Sequence, residues 1–154
     1  MGINEEIYRI KSLLTENTEP FKIKVMSDID TERGFCVYYL TENNSVIGIV
    51  TLTDLNKLLK NNEFQEDVHS LHENYTEKDK TVYLHSLTVS EEFRRKGYGK
   101  KLVKECENVA RNSGYKKITA IVKKNNIPSQ EMFISEGYEI YQSDNIRHLF
   151  IKNI

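Results

Sequence analysis

The spacing of apolar residues changes along the chain. Ile3, Ile7, Ile10, Leu13 and Leu14 recur at helical intervals, and Glu5 and Glu6 stand in the first turn, where a helix dipole favours acids. That predicts an opening helix. Phe21, Ile23 and Val25 then alternate with lysines in "FKIKVMSDI", and "GFCVYYL" and "SVIGIVTL" flank the turn-like "TENN". These predict a strand followed by a hairpin. "DLNKLLKN" has an Asx start and a leucine stripe, a short helix, whereas Asn62 to Lys80 is polar, weakly patterned and longer than most connections, an insertion or a flap.

The second half is more sharply patterned. "TVYLHSLTV" (81–89) predicts a strand. Leu102, Val103, Cys106, Val109 and Ala110 share one face of a helix over 99–113, with Gly114 placed to end it in a left-handed conformation. "KKITAIV" is the next strand, "NIPSQEMFISEG" a short helix capped by Asn126, and two strand-like pieces follow around 138–141 and 146–151. Strand, helix, strand, helix, strand is an α/β order. At 154 residues this is one domain, with no internal repeat, low-complexity tract or linker.

Composition narrows the function classes. A formal net charge of -1 argues against a nucleic-acid binder that works by overall charge. No apolar run approaches the ~20 residues that span a bilayer, and the acidic, amphipathic start is unlike a secretory signal. Gly2 lacks the Ser or Thr four residues on that myristoylation requires, since position 6 is Glu6. Cys36 and Cys106 stand far apart without metal or disulfide spacing and predict free thiols in a reducing cytoplasm. His69 and His72 lie three apart in the insertion without a third ligand and are expected in a solvated flap; no metal is expected.

The chemistry concentrates in "FRRKGYGK" (93–100), between a strand and a helix. A helix N-terminus presents backbone N–H groups without intrahelical partners, and its dipole attracts anions. Gly97 and Gly99 let main chain approach a ligand closely, and Arg94, Arg95, Lys96, Lys100 and Lys101 supply positive charge. A phosphate suits such a turn, although GxG alone also fits a plain strand-to-helix connection. GxxxxGK[ST] is absent, and GxGxxG fails at Leu102.

Strand, RxxGxG and helix together resemble motif A of the GNAT superfamily of N-acetyltransferases, carried by Arg94, Gly97 and Gly99. Downstream, "NNIPSQEMFISEGYE" is similar to that family's NxxAxxLYxxxGF segment, with Asn126, Ser129, Met132, Phe133, Gly137 and Tyr138 on the matching positions. The resemblance implies a GNAT fold: a mixed, twisted central sheet with splayed parallel strands and flanking helices. It also implies acetyl-CoA as co-substrate. The main chain of Leu87, Thr88 and Val89 would pair with the pantetheine arm, and the amides from Arg95 through Lys96, Gly97, Tyr98 and Gly99 to Lys100 would face the pyrophosphate. Asn126, Ser129 and Phe133 complete the expected cofactor set.

The resemblance further implies acetyl transfer to an amine, which needs a base, donors for a developing oxyanion and often an acid for the thiolate. Phe133 occupies the position where the family frequently has that acid as Tyr, so the role is empty, reassigned, with Tyr138 and Tyr141 nearby in sequence, or dispensable for a thiol that is already a fair leaving group. "YLHSLTV" is similar to the strand of arylalkylamine N-acetyltransferases that reads HLHALAV, with His85 on the second histidine and Tyr83 on the first. Strand parity predicts Tyr83, His85, Leu87 and Val89 on one face. Acids in the insertion (Glu63, Glu66, Asp67, Glu73, Glu77, Asp79) form either a rim for cationic amines or a solvated loop, and Tyr38, Tyr39, Phe64 and Tyr75 line either an acceptor pocket or the core. The expected partner is a small-molecule amine or, alternatively, a protein amine, with neither nucleic acid nor membrane; the chain is a monomer or homodimer. A catalytically silent acyl-CoA-binding module is the rival of another class.

Overall fold

The computed structural model describes residues 35–40, 46–60 and 66–154, with the backbone alone for 35–40 and 46. The predicted opening helix, the strand at 21–29, the "TENN" turn, Glu63 and Phe64 lie outside the described residues, as do the side chains of Cys36, Tyr38 and Tyr39.

Six strands are described: β1 Phe35–Leu40, β2 Val46–Asp54, β3 Thr81–Val89, β4 Lys117–Lys123, β5 Glu139–Ser143 and β6 Arg147–Asn153. They form one mixed sheet in the order β1-β2-β3-β4-β6-β5, in which only β3 and β4 pair in parallel. Among the described residues four α-helices accompany it: α1 Leu55–Lys60, α2 Glu66–Leu71, α3 Tyr98–Asn112 and α4 Ile127–Ser135. Each element predicted within the described residues is present, with ends shifted by a residue or two. Among the described residues no helix is long and apolar enough to cross a membrane.

The period-3.6 stripe on α3 explains the main core. Leu102, Val103, Cys106 and Ala110 are fully buried against Val82 and Leu84 of β3 and Ile118 and Ala120 of β4, with Phe133 of α4 and Phe150 of β6 in the same cluster. Each buried aliphatic contributes about 1.5–3 kcal/mol. Gly114 ends the helix at φ 90°, and the Asn126 side chain accepts from the Ser129 amide at the start of α4. Cys106 is a buried thiol outside any disulfide.

The opposite face of the sheet carries a smaller cluster of Leu55 and Leu58 (α1), Val68 (α2), Tyr75 and Tyr83. Here the structure corrects the expectation of a solvated flap. His72 is fully buried: its Nδ1–H donates to the Val68 carbonyl at 2.7 Å, and Nε2 lies 3.0 Å from the Thr119 hydroxyl on β4. The polarity of the segment hid four inward residues, Val68, Leu71, His72 and Tyr75, because its helix is too short to display a period.

Glycine 48 matters for close packing. A Cβ there would stand 2.7 Å from Leu102 Cδ1 and 3.1 Å from the Thr88 carbonyl oxygen, so β2 and β3 approach the first turns of α3 only because this residue lacks one.

Candidate active site

The parallel ladder between β3 and β4 is short. It runs from Thr81↔Lys117 to Leu84↔Ala120 and ends there, while β3 continues to Val89 beside β2 and β4 continues to Lys123 beside β6. A fork therefore opens between His85–Val89 and Ile121–Lys123.

A bulge in β3 stands at the base of the fork. Thr51 pairs with His85 and Ile49 with Thr88, so three steps on β3 oppose two on β2, and Ser86 adopts φ 58°. The extra residue inverts side-chain parity. Tyr83 and His85 lie on the face of α1 and α2, whereas Leu87 and Val89 join Val82 and Leu84 against the main core. The predicted single face for Tyr83, His85, Leu87 and Val89 is thus corrected: uniform alternation cannot anticipate an inserted residue.

On the α3 side the fork runs into a cleft of about 700 Å³. One wall is Leu87, Thr88 and Val89, and the opposite wall is Asn126, Pro128, Ser129 and Met132 at the start of α4. The floor is the turn itself, with Arg94, Arg95, Gly97, Tyr98, Gly99 and Lys100. Gly97 is the N-cap of α3 at φ 84° and supplies no side chain to its first-turn amides. Cβ atoms built at Gly97 or Gly99 would meet nothing within 4 Å, so both glycines leave open space where a ligand can lie against main chain. Arg94 folds back, its Nε donating to the Val89 carbonyl at 3.0 Å, and so ties the turn to the end of β3.

Two residues of the predicted cofactor set do not line the cleft with their side chains. Phe133 is 3% exposed, its ring stacked on Phe150 at 5.8 Å and edge-on to Tyr138 at 5.0 Å, because α4 turns this side chain into the core. Lys96 is not part of the cleft wall; its Nζ lies 5.9 Å from the centre of the Phe93 ring. Phe93, Pro128 and Met132 were not among the expected site residues; for Met132 the signal in the chain is its three-residue spacing from Ser129 on one short helix.

On the far side of the fork, His85 is half-buried. Its Nε2 lies 2.9 Å from the Thr53 hydroxyl and its Nδ1 3.2 Å from the Ser86 hydroxyl, and the ring stacks on Tyr83 at 5.3 Å. Burial holds its pKa down at about 4, so the imidazole is neutral at physiological pH. Both partners are hydroxyls, which donate or accept, so either neutral tautomer is accommodated.

Of the three tyrosines proposed from sequence, Tyr141 stands on the edge strand β5 with its ring edge-on to Tyr75 at 5.5 Å, and the other two are buried. Tyr83 is 4% exposed within the second cluster, and burial raises its pKa, with the Asp67 charge adding to the rise. Tyr138 is 2% exposed, its hydroxyl donating to Glu107 Oε2 at 3.0 Å, and Lys152 Nζ donates to the same carboxylate at 3.0 Å. Burial, then the Glu107 charge, pushes the Tyr138 pKa up. Both are core residues, and the Tyr138 hydroxyl is held by Glu107.

The family model for the acetyltransferase (GNAT) family matches residues 4–138. The chain belongs to this GNAT family. Solved structures with the same fold include a GNAT acetyltransferase from Listeria monocytogenes, 18% identical with a TM-score of 0.62, over 77% of this chain and 64% of that one. The PaiA N-acetyltransferase of Thermoplasma acidophilum, solved in complex with coenzyme A, is 15% identical with a TM-score of 0.57, over 77% of this chain and 60% of that one. The yncA protein of Salmonella typhimurium, solved with its cofactor acetyl-CoA, is 17% identical with a TM-score of 0.54, over 77% and 64%. At these identities the likeness is one of fold, and this GNAT chain spans under two thirds of each of those three chains. No curated protein matches the sequence.

Proposed function

We propose that this GNAT protein transfers the acetyl group of acetyl-CoA to the primary amine of a small molecule, by direct attack within a ternary complex. The observation that carries the reading is the continuity of the glycine-lined N-terminus of α3, the cleft and the fork. The residues fit the co-substrate. The first turn of α3 with Arg94, Arg95 and Lys100 would hold its diphosphate, and Leu87 to Val89 with Asn126, Ser129 and Met132 would flank its pantetheine arm. Bound there, acetyl-CoA supplies an activated acetyl thioester.

His85 is the group of this chain best placed to receive the amine proton. It lies at the fork's base, across the sheet from the cleft, so donor and acceptor approach from opposite faces. As a neutral imidazole it accepts a proton without first losing one. The amine nitrogen forms its bond to the acetyl carbon, the carbon–sulfur bond breaks, and the proton count closes with coenzyme A as a thiol. Phe133 lies in the core, Tyr138 is bonded to Glu107, and Tyr141 stands on the edge strand β5 against Tyr75, so this reading assigns the sulfur no tyrosine acid. A thiolate near its own pKa leaves unaided.

The test is thiol release with acetyl-CoA and a panel of amines. Release above the blank, reduced at least about tenfold in kcat in His85→Ala with the acetyl-CoA KM kept within about twofold, is the expected result. Coenzyme A binding with no acceptor acetylated, peptide amines included, would establish the silent module instead.

A further inference from the structure

The charges at the far mouth of the fork do not balance. Lys123 and Arg147 are direct partners across the antiparallel β4–β6 pair, so both side chains leave the same face. Like charges directly opposite each other are destabilising unless an anion lies between them. Asp67 of α2 meets Arg147 Nε at 3.3 Å, which identifies that face as the one bearing His85. Asp144 stands 4.0 Å from Arg147 Nη1, and its other oxygen accepts the Ile146 and Arg147 amides of the β5–β6 turn. Against these two carboxylates are three cations, Lys123, Arg147 and the neighbouring Lys124, whose charge also reaches Asp144. Among the described residues one positive charge is left over.

The Arg147 guanidinium is also well held. The turn fixes its backbone, Asp67 fixes Nε, and the side chain is only 28% exposed. Among the described residues its two terminal nitrogens make no hydrogen bond, and Lys123 makes no ion pair. With Nη1 only in a long ion pair to Asp144 at 4.0 Å, the planar guanidinium fork in a fixed position matches a carboxylate, which takes two parallel bonds.

Building on the transferase reading above, we propose that the acceptor is an amine that carries a carboxylate, bound by Arg147 and Lys123 at the far mouth of the fork while its amine reaches His85. Arg147 and Lys123 lie three residues beyond Ala120, the last β4 residue paired with β3, or roughly 10 Å at ~3.3 Å per residue. A small amino acid of a few bonds' length, with the arginine side chain reaching back, spans that interval.

Matched pairs of amino acids and their decarboxylated amines test it: lysine with 1,5-diaminopentane, histidine with histamine, tyrosine with tyramine. In at least one pair the carboxylate-bearing member should be turned over with a kcat/KM higher by about tenfold or more. Arg147→Gln should erase that preference through the acceptor KM and leave the acetyl-CoA KM unchanged. Because Arg147 also anchors α2, the exposed Lys123→Glu is the second variant, and it should weaken the same preference while the fold is kept. Equal or better use of the decarboxylated member in every pair, or a preference that survives both substitutions, overturns the anion subsite and leaves the acetyltransferase standing. No thiol release from any member overturns both.

Discussion

His72 makes the covering of the His85 face of the sheet sensitive to acid. Its ring is fully buried and neutral, with Nδ1–H on the Val68 carbonyl and Nε2 facing the Thr119 hydroxyl, edge-on to the rings of Tyr75 and Tyr83. Burial lowers its pKa from 6.5 to about 4. The unfolded chain therefore takes up the proton first. The stability contributed by the neutral ring is complete above the unfolded value and is lost as pH falls through the window from 6.5 toward 4. Each pH unit inside that window removes about 1.4 kcal/mol, so about 2 kcal/mol disappears between roughly pH 7 and pH 5. For a chain of this size that is about 6 °C of Tm. Urea unfolding of the wild type and of His72→Gln at both pH values isolates the effect, because His85, whose pKa is lowered in the same direction, contributes equally to both proteins. The substitution should remove about 2 kcal/mol of the pH-dependent loss, whatever it does to stability at neutral pH. Identical losses in the two proteins would show that the ring is not buried neutral, and the packing of 66–80 over the sheet would have to be abandoned.

Gly99→Leu should weaken coenzyme A binding by at least about tenfold while the Tm stays within a few degrees, since the added side chain meets only the cleft and not the fold; calorimetric titration that finds unchanged affinity would refute the backbone cradle. Gly97 is the poorer probe, because φ 84° strains any side chain there independently of the ligand. Phe133→Tyr restores the residue frequent in the family at that position, yet it should raise kcat by less than about twofold and cost about 1–3 kcal/mol by denaturant unfolding, because the hydroxyl enters a dry core; a large gain in kcat would place that position at the thioester. Gly48→Val should cost at least about 1–3 kcal/mol through contact with Leu102 and the Thr88 carbonyl, and an unchanged midpoint would show that β2 and α3 do not approach as described.

What could be read from the chain itself was whatever depends on neighbours in sequence. The apolar stripe of α3, the alternation of β3 and β4, the Asn126 cap and the glycine turn each carry their signal within a dozen residues, and the anion-binding physics of a glycine-opened helix follows from them. Most of the cleft wall was legible for the same reason. The tertiary structure decided everything that needs two distant segments. One inserted residue in β3 separates His85 from Leu87 and Val89, and only pairing with β2 reveals it. Phe133 and Tyr138 become core because β6 and α3 bring Phe150 and Glu107 to them. His72 reads as polar loop in sequence and becomes a buried neutral group when Thr119, 47 residues away, offers its hydroxyl. Arg147 meets Asp67 of a short helix and Lys123 of a neighbouring strand only in the folded chain. Periodicity records which side of an element turns inward, but the partners that satisfy a buried polar group or balance a charge are set by long-range packing.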